Sequence, residues 1–184
     1  MDSILDLDAR LSSQMRVAEK PGALRAMAVF LAHSGDSWFW AIGLFAMWVS
    51  GNSFWKEWAV VQFGSISLLA AMVLVIKFSI KRKRPEGDWG QIYRLSDPHS
   101  FPSGHAARAF LIATIAAGLG PAWLAGILWI WAPLVCLARV LMGVHYISDV
   151  VAGAVLGIIV AWIGLQLYPP LLGWLFGLLG FSLW

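Results

Sequence analysis

Phe101-Pro102-Ser103-Gly104-His105-Ala106 separates a charged loop from a long apolar run. Proline fixes the backbone before a helix, serine is a favoured N-cap, and glycine lets another group approach the backbone closely. A helix that starts here offers unpaired N–H groups and the positive end of its dipole to an anion. His105 in its first turn can exchange a proton with that anion. The stretch alone is equally consistent with an ordinary capped helix, because short motifs match by chance.

The composition is typical of a membrane protein. Hydrophobic residues make up 60% of the 184 residues and charged residues 12%, whereas soluble domains carry about 25% charged residues. Twelve tryptophans favour the membrane interface. The basic residues lie beside hydrophobic segments, which favours an anionic lipid or a phosphorylated substrate over nucleic acid. Cys136 is the only cysteine, so an internal disulfide is excluded, and we expect neither a metal nor another cofactor.

Long apolar segments predict an all-α fold, a polytopic membrane bundle of five to six transmembrane helices. We expect Pro133 to kink the fourth span and Pro169-Pro170 to end the fifth. Residues 171–184 can cross, re-enter or pack against the bundle. The five expected spans are 38–49, 58–78, 103–118, 122–142 and 146–167.

The N-terminal segment is predicted to lie on the membrane rather than to cross it. Residues 3–19 place apolar side chains at helical spacing among charged ones, which is typical of an amphipathic interfacial helix. Residues 23–33 form a second apolar helix that is too short to cross. We therefore expect one domain, in which 1–34 form the interfacial segment and 36–184 the bundle, with Asp36 capping the first span.

Tracing the spans across the membrane brings several strongly polar residues to one face. The second span ends and the third begins on that face, and the fourth returns to it before the fifth leaves. Charged side chains at span ends are functional or extend to the interface, and an interfacial role does not explain two histidines and an aspartate at helix starts. The converging residues are Lys77, Arg84, Ser103, His105, Arg139, His145 and Asp149.

The spacing of these residues predicts a phosphoryl-transfer site. Lys77 and Arg84 are about two helical turns apart and can face one pocket, to which Arg139 adds a guanidinium suited to oxyanions. Asp149 follows His145 by four residues, so its carboxylate can accept the Nδ1 proton and leave Nε2 as a nucleophile or base. The cations would bind phosphate oxygens while one histidine attacks and the other protonates the leaving oxygen, without magnesium.

Three motifs in this order resemble the signature of the type 2 phosphatidic acid phosphatase (PAP2) superfamily, which includes membrane lipid phosphatases and soluble vanadium haloperoxidases. They are Lys77-x6-Arg84-Pro85, Pro102-Ser103-Gly104-His105 and Arg139-x5-His145-x3-Asp149. The resemblance implies that His145 is a nucleophile forming a phosphohistidine and that Asp149 orients it. It also implies that His105 protonates the leaving group and later activates water.

The same resemblance assigns phosphate binding to a set of side chains and backbone groups. The family usually has a serine before the arginine of the third motif, and Ala138 here lacks that hydroxyl. The implied phosphate-binding residues are Lys77, Arg84, Ser103, Gly104 and Arg139.

Residues outside the motifs are candidates for contact with the headgroup. Arg108, one turn beyond His105, either reaches the headgroup or has a structural or interfacial role. The 86–99 loop can close over the site or contact the lipid headgroup, although its aromatic residues are more typical of interface anchors. The candidates in this loop are Trp89, Tyr93, Arg94, Asp97 and His99.

These observations predict a metal-independent lipid phosphatase in the cytoplasmic membrane of a bacterium, acting on a phosphomonoester or pyrophosphate headgroup. Phosphatidic acid, phosphatidylglycerol phosphate and polyprenyl pyrophosphate are all candidate substrates, because acyl and prenyl chains both need apolar walls. One alternative is a vanadate-dependent haloperoxidase-like site, against which the membrane spans argue. Another is a non-catalytic membrane or transport component with a relic anion site, against which the two histidines with Asp149 argue.

The distribution of basic residues bears on the orientation of the site. Every Lys and Arg except Lys56 lies on the face of the predicted site or in the N-terminal segment. The positive-inside rule therefore favours a cytoplasmic site. Many bacterial relatives of this type face the periplasm, so both orientations stay open.

Overall fold

The computed structural model describes residues 4–17, 20–87 and 97–179, in which the main secondary structure is α-helix. Seven helices lie in these ranges, and one isolated antiparallel bridge joins Lys83 to His99. The helices are α1 (Ile4–Gln14), α2 (Ala23–Ser34), α3 (Ser37–Ser50), α4 (Ser53–Ile80), α5 (Gly104–Leu119), α6 (Ala122–Leu141) and α7 (Ile147–Leu179). The predicted all-α fold is confirmed.

Three of these helices are long and apolar enough to cross a membrane, namely α4, α6 and the stretch Ile147–Trp174 of α7. A helix of about 20 residues spans the roughly 30 Å hydrocarbon core. Helices α2, α3 and α5 are apolar but shorter, with 12, 14 and 16 residues. The chain is therefore a membrane protein, as its composition predicts.

The predicted end of the fifth span at Pro169-Pro170 is wrong, because α7 continues through both prolines to Leu179. Each proline lacks one N–H group, but the helix on either side keeps its own hydrogen bonds. Residues 171–179 therefore extend α7 instead of forming a separate helix, and residues 180–184 lie outside the described ranges.

The first helix is shorter than predicted, since α1 ends at Gln14 rather than at residue 19. The chain turns there, and the Arg16 N–H group donates to the Ser13 carbonyl at 3.3 Å. Met15 then packs against a buried cluster formed by Ala106, Val140 and Val150. Tertiary packing after the turn thus ends the helix earlier than the apolar spacing indicates.

Helix α5 lies at the centre of the bundle, in contact with α4, α6 and α7. Its close approach to α7 depends on two glycines, one turn apart on α7. A Cβ atom at Gly157 would clash with the Ala107 carbonyl oxygen, and one at Gly153 would lie 2.5 Å from the Ser103 carbonyl oxygen. The start of α5 is therefore held against the first turns of α7, which brings the second and third sequence motifs together.

Candidate active site

A cavity of about 470 Å³ lies at the start of α5, where the predicted site residues converge. Its polar lining includes Lys77, His105 and His145, together with the backbone of Gly104. One wall is apolar and comes from α4. That wall consists of Ile66, Leu69, Ala70, Val73 and Leu74.

The start of α5 has the predicted cap. Ser103 is fully buried at the N-cap position, and its hydroxyl accepts a 3.5 Å hydrogen bond from the Ala106 N–H group. The Ser103 N–H group donates to the carbonyl oxygen of Asp149 at 2.9 Å. This backbone bond fixes the helix that carries His105 relative to the helix that carries Asp149.

His145 is buried between a cation and a carboxylate, with 1% of its surface exposed. Its Nε2 atom lies 3.2 Å from Nη1 of Arg84, and its Nδ1 atom lies 3.5 Å from Oδ2 of Asp149. The second distance is longer than an ordinary hydrogen bond of about 2.7–3.2 Å. Burial, together with the positive charges of Arg84, Arg139 and Lys77, holds the pKa of His145 well below its ordinary value. The imidazole is therefore neutral at pH 7 and keeps the lone pair that a nucleophile needs.

The Asp149 carboxylate accepts hydrogen bonds from a backbone N–H group and from an arginine. Its Oδ2 atom accepts a 2.9 Å hydrogen bond from the Tyr146 N–H group, and its Oδ1 atom accepts one of 2.7 Å from Nη1 of Arg82. Arg82 also donates to Oδ2 of Asp8 in α1 at 2.7 Å and lies over the Tyr146 ring. Sequence reasoning missed both Arg82, within a run of four bases, and Asp8, within a helix identified only as amphipathic.

Helix α1 also contacts the first turn of α7 directly. Asp8 accepts a 3.1 Å hydrogen bond from the Ser148 N–H group, and Ser12 accepts one of 3.0 Å from the Ile147 N–H group. These side chains satisfy two of the N–H groups that a helix start leaves open. The N-terminal helix therefore supports the element that carries Asp149.

Asp97 brings the first-motif cations together. The Lys77 ammonium donates to Oδ2 of Asp97 at 2.5 Å, and Nη2 of Arg84 donates to the same atom at 2.7 Å. Arg84 also donates to the Val144 carbonyl at 2.9 Å, next to His145. A carboxylate from the end of the 86–99 loop thus occupies two cations that are suited to a phosphate group.

Arg139 completes the predicted set. It lies in the last turn of α6 with 1% of its surface exposed, and its charge contributes to the low pKa of His145. The structure therefore brings the predicted catalytic and phosphate-binding residues into one region.

His105 faces the loop between α2 and α3. Its Nε2 atom lies 2.8 Å from Oδ1 of Asp36, whose Oδ2 atom lies 3.0 Å from Nδ1 of His33. Asp36 occupies the N-cap position of α3, but its side chain makes no capping hydrogen bond. Asp36 therefore is the N-cap residue that the sequence predicts, but its carboxylate binds histidines instead of the helix N–H groups.

Arg108 holds the same loop. Its Nε atom donates to the Gly35 carbonyl at 2.7 Å, its Nη2 atom donates to that carbonyl as well, and its Nη1 atom donates to the Ser37 hydroxyl at 2.6 Å. These contacts support the structural alternative for Arg108, although its side chain also lines the cavity.

The 86–99 loop is described only in part. Three of the loop candidates, Trp89, Tyr93 and Arg94, lie outside the described residues. Within the described ranges, no three His, Cys, Asp or Glu side chains are grouped so that they could hold a metal ion.

Comparison with known proteins gives a consistent family. The model of the PAP2 superfamily matches residues 58–173, which include all three motifs. Decaprenylphosphoryl-5-phosphoribose phosphatase of Mycobacterium tuberculosis is 32% identical over 147 residues, covering 78% of this chain and 80% of that protein. Lipid A 1-phosphatase of Porphyromonas gingivalis is 31% identical over 113 residues, and this match covers 60% of the chain but only 24% of the longer relative.

A solved structure shares the fold. The crystal structure of Aquifex aeolicus LpxE superposes with a TM-score of 0.71 at 28% identity, covering 90% of this chain and 97% of that one. The family match spans more than half of the chain, and the mycobacterial relative aligns over most of both proteins. This chain therefore belongs to the PAP2 superfamily, and the predicted resemblance is confirmed.

Proposed function

We propose that the protein hydrolyses a phosphomonoester or pyrophosphate on a membrane lipid through a phosphohistidine at His145. The class of enzyme, a PAP2-type lipid phosphatase, is confirmed by the family match and by the named relatives. The observation that carries the mechanism is the buried His145, which lies between Arg84 and Asp149 in a cavity that also contains His105.

The first half of the reaction transfers the phosphoryl group to the protein. Nε2 of His145 attacks phosphorus as the bond from phosphorus to the lipid oxygen breaks, and His105 gives its proton to that oxygen. Lys77 and Arg84 leave Asp97 and bind the phosphate oxygens, while Asp149 stabilises the charge that develops on the attacking imidazole.

The second half restores the enzyme. His105, now neutral, removes a proton from water as the water oxygen attacks phosphorus. The bond between phosphorus and Nε2 of His145 breaks, orthophosphate leaves, and both histidines return to their starting protonation states. No step requires a redox change or a co-reactant other than water.

The cavity supports a lipid substrate. The apolar wall from α4 extends away from the charged end, so a hydrocarbon chain can lie along it while the phosphate reaches the cations. The named relatives act on a decaprenyl-linked sugar phosphate and on lipid A. The candidate substrates likewise carry a phosphate or pyrophosphate group on a lipid with long hydrocarbon chains. They are phosphatidic acid, phosphatidylglycerol phosphate and polyprenyl pyrophosphate.

The membrane arrangement belongs to the same proposal. We infer five crossings, by α3 to α7, with α1 on the surface of the bacterial cytoplasmic membrane, in a single domain. The short α5 is surrounded by other helices and need not match the thickness of the lipid. The exposed side chains of Ile4, Leu5 and Leu7 support an interfacial position for α1.

Phosphate release by the purified protein from a panel of these lipids, in detergent and with EDTA, tests the function. We expect release from at least one lipid, retained in EDTA and lost in His145→Ala. A lack of release from every lipid would contradict the lipid phosphatase, and strict metal dependence would contradict the mechanism. Bromide oxidation in the presence of vanadate and peroxide would favour the haloperoxidase alternative.

A further inference from the structure

The carboxylate of Asp36 lies between two histidines. Its Oδ1 atom is 2.8 Å from Nε2 of His105, and its Oδ2 atom is 3.0 Å from Nδ1 of His33 and 3.2 Å from the indole nitrogen of Trp38. Burial opposes its ionisation, but the hydrogen bonds of His105 and His33 hold the pKa of Asp36 well below its usual range. The group is therefore an anion at neutral pH.

The loop that carries Asp36 is fixed from several sides. Arg108 binds the Gly35 carbonyl and the Ser37 hydroxyl, on either side of Asp36. Trp131 of α6 donates to the Ser34 hydroxyl at 2.8 Å. Two helices, α5 and α6, thus hold the loop around Asp36, so the contact with His105 does not depend on a freely moving loop.

We propose that Asp36 is a positioning residue for His105: its carboxylate holds the Nε2 proton and directs Nδ1 towards the substrate. This inference rests on the proposed function, in which His105 exchanges protons with the lipid oxygen and with water. It adds an orienting carboxylate for the second histidine, parallel to the one that Asp149 provides for His145.

The proton balance follows from this geometry. In the first half of the reaction, the Nδ1 proton of His105 passes to the lipid oxygen as the P–O bond breaks and the bond to His145 forms. The neutral imidazole keeps its Nε2 proton in the hydrogen bond to Asp36. In the second half, Nδ1 takes a proton from water as the new P–O bond forms and the P–N bond breaks. Asp36 itself remains ionised throughout.

The charges around His105 determine the expected pH dependence. Asp36 and His33 face it from the α2–α3 loop and α2, Arg108 lies on its own helix, and Arg139 acts from α6, while Lys77 lines the same cavity. Asp97 lines the same cavity, where Lys77 and Arg84 bind its carboxylate, and Asp36 is the anion in direct contact with His105. Its removal leaves cations around His105, so the imidazolium form becomes less stable.

The test compares Asp36→Asn with Asp36→Glu and with Glu57→Gln, a neutralised acid at the other end of α4. We expect kcat to fall by about ten- to a hundredfold in Asp36→Asn, with KM changed far less. The alkaline limb of kcat should move to lower pH by about one unit. In Asp36→Glu the alkaline limb of kcat should stay at the wild-type pH. In Glu57→Gln both kcat and the position of its alkaline limb should match the wild type.

A second measurement uses the unmodified protein, so it holds even if Asp36→Asn fails to fold. Nitrogen-15 NMR of histidine-labelled protein in bilayers, with His105 assigned by its loss in His105→Gln, reports the tautomer. At a pH at which His105 is neutral, which is its state after the first proton transfer, we expect its single ring proton to lie on Nε2.

The outcomes separate the two proposals. A wild-type enzyme that releases no phosphate from lipid contradicts the proposed function. An active wild type together with an unchanged kcat and alkaline limb in Asp36→Asn, or with the proton of His105 on Nδ1, contradicts only the positioning role of Asp36.

Discussion

Nη1 of Arg84 lies 3.2 Å from Nε2 of His145, so a guanidinium faces the nitrogen that is proposed to attack phosphorus. A guanidinium only donates hydrogen bonds, and Nε2 must therefore be the unprotonated nitrogen of the ring. The imidazole proton then lies on Nδ1, on the side of Asp149. One contact thus sets both the tautomer of the nucleophile and its response to pH.

Arg84 should control the acid limb of the pH profile. Protonated His145 has no lone pair on Nε2, and its lowered pKa puts this limb of kcat/KM below the ordinary value of about 6.5. Arg84→Gln removes one of the charges that lower this pKa, so the limb should move to higher pH by up to about one unit. The pH profiles of the variant and the wild type should be measured with the same substrate, so that the ionisation of the substrate affects both profiles equally. An unmoved limb, or the same shift in the exposed control Lys83→Gln, would contradict this role.

Arg82 should act on the rate rather than on substrate binding. It donates to Asp149 and to Asp8, away from the cations assigned to phosphate. A hydrogen bond to a charged group contributes roughly 1.5–3 kcal/mol, so we expect Arg82→Gln to lower kcat by about ten- to a hundredfold with a similar KM. Steady-state kinetics of Lys83→Gln, an exposed neighbour, provides the matched control. A change in KM alone would mean that Arg82 binds substrate.

Asp97 should compete with phosphate for its cations. Its carboxylate accepts hydrogen bonds from both Lys77 and Arg84, which the substrate phosphate must replace. Asp97→Asn removes the competing charge, so KM and the inhibition constant of orthophosphate should both fall, by about tenfold or 1.4 kcal/mol. Glu86→Gln removes an exposed charge from the same loop and should leave both constants unchanged. A higher KM in Asp97→Asn would show that Asp97 aligns the cations for binding.

The glycines of α7 should be sensitive to a single methyl group. In Gly157→Ala the new Cβ meets the Ala107 carbonyl, which forces α5 away from α7, and overpacking of this kind costs about 1–3 kcal/mol. We expect a lower melting temperature in detergent and at least about tenfold lower activity, since the two motifs separate. Gly173→Ala adds the same methyl group with no atom within 4 Å and should retain both. Equal behaviour of the two variants would contradict the packing argument.

The helical fold and the convergence of the motifs could be predicted because the bilayer restricts the possibilities. Spans must be helices, and each crossing reverses the face, so the order of the apolar runs brings His105 and His145 to one side. The continuation of α7 past its prolines could not be predicted in this way. Proline disfavours a helix at its own position, but the residues on either side of it can still be helical.

The partners of the catalytic groups were harder to predict. Asp36 and His105 are 69 residues apart, and their contact depends on the packing of helices whose sequences carry no pairing signal. The sequence alone therefore predicts only a cap at Asp36, although its place at the start of a span on the active-site face is a usable clue.

The role of Arg82 could not be predicted from the sequence either. Four bases in a row do not reveal which side chains point inward. Lys81 ends α4 in the left-handed conformation and is exposed. The structure then pairs Lys83 with His99 in an antiparallel bridge, and alternation along this extended segment leaves Arg82 and Arg84 inside while Lys83 stays exposed. Only the backbone conformation of this segment distinguishes the four residues.

The phosphohistidine is tested most directly by trapping it. His105→Ala with p-nitrophenyl phosphate suits this purpose, because nitrophenolate leaves without a proton donor while the attack of water is slowed. After an alkaline quench, peptide mass spectrometry should find an acid-labile phosphate on His145, and none after the same treatment of a variant that also carries His145→Ala. Release of nitrophenolate with no phosphate on His145, or with phosphate on another residue, would contradict the account.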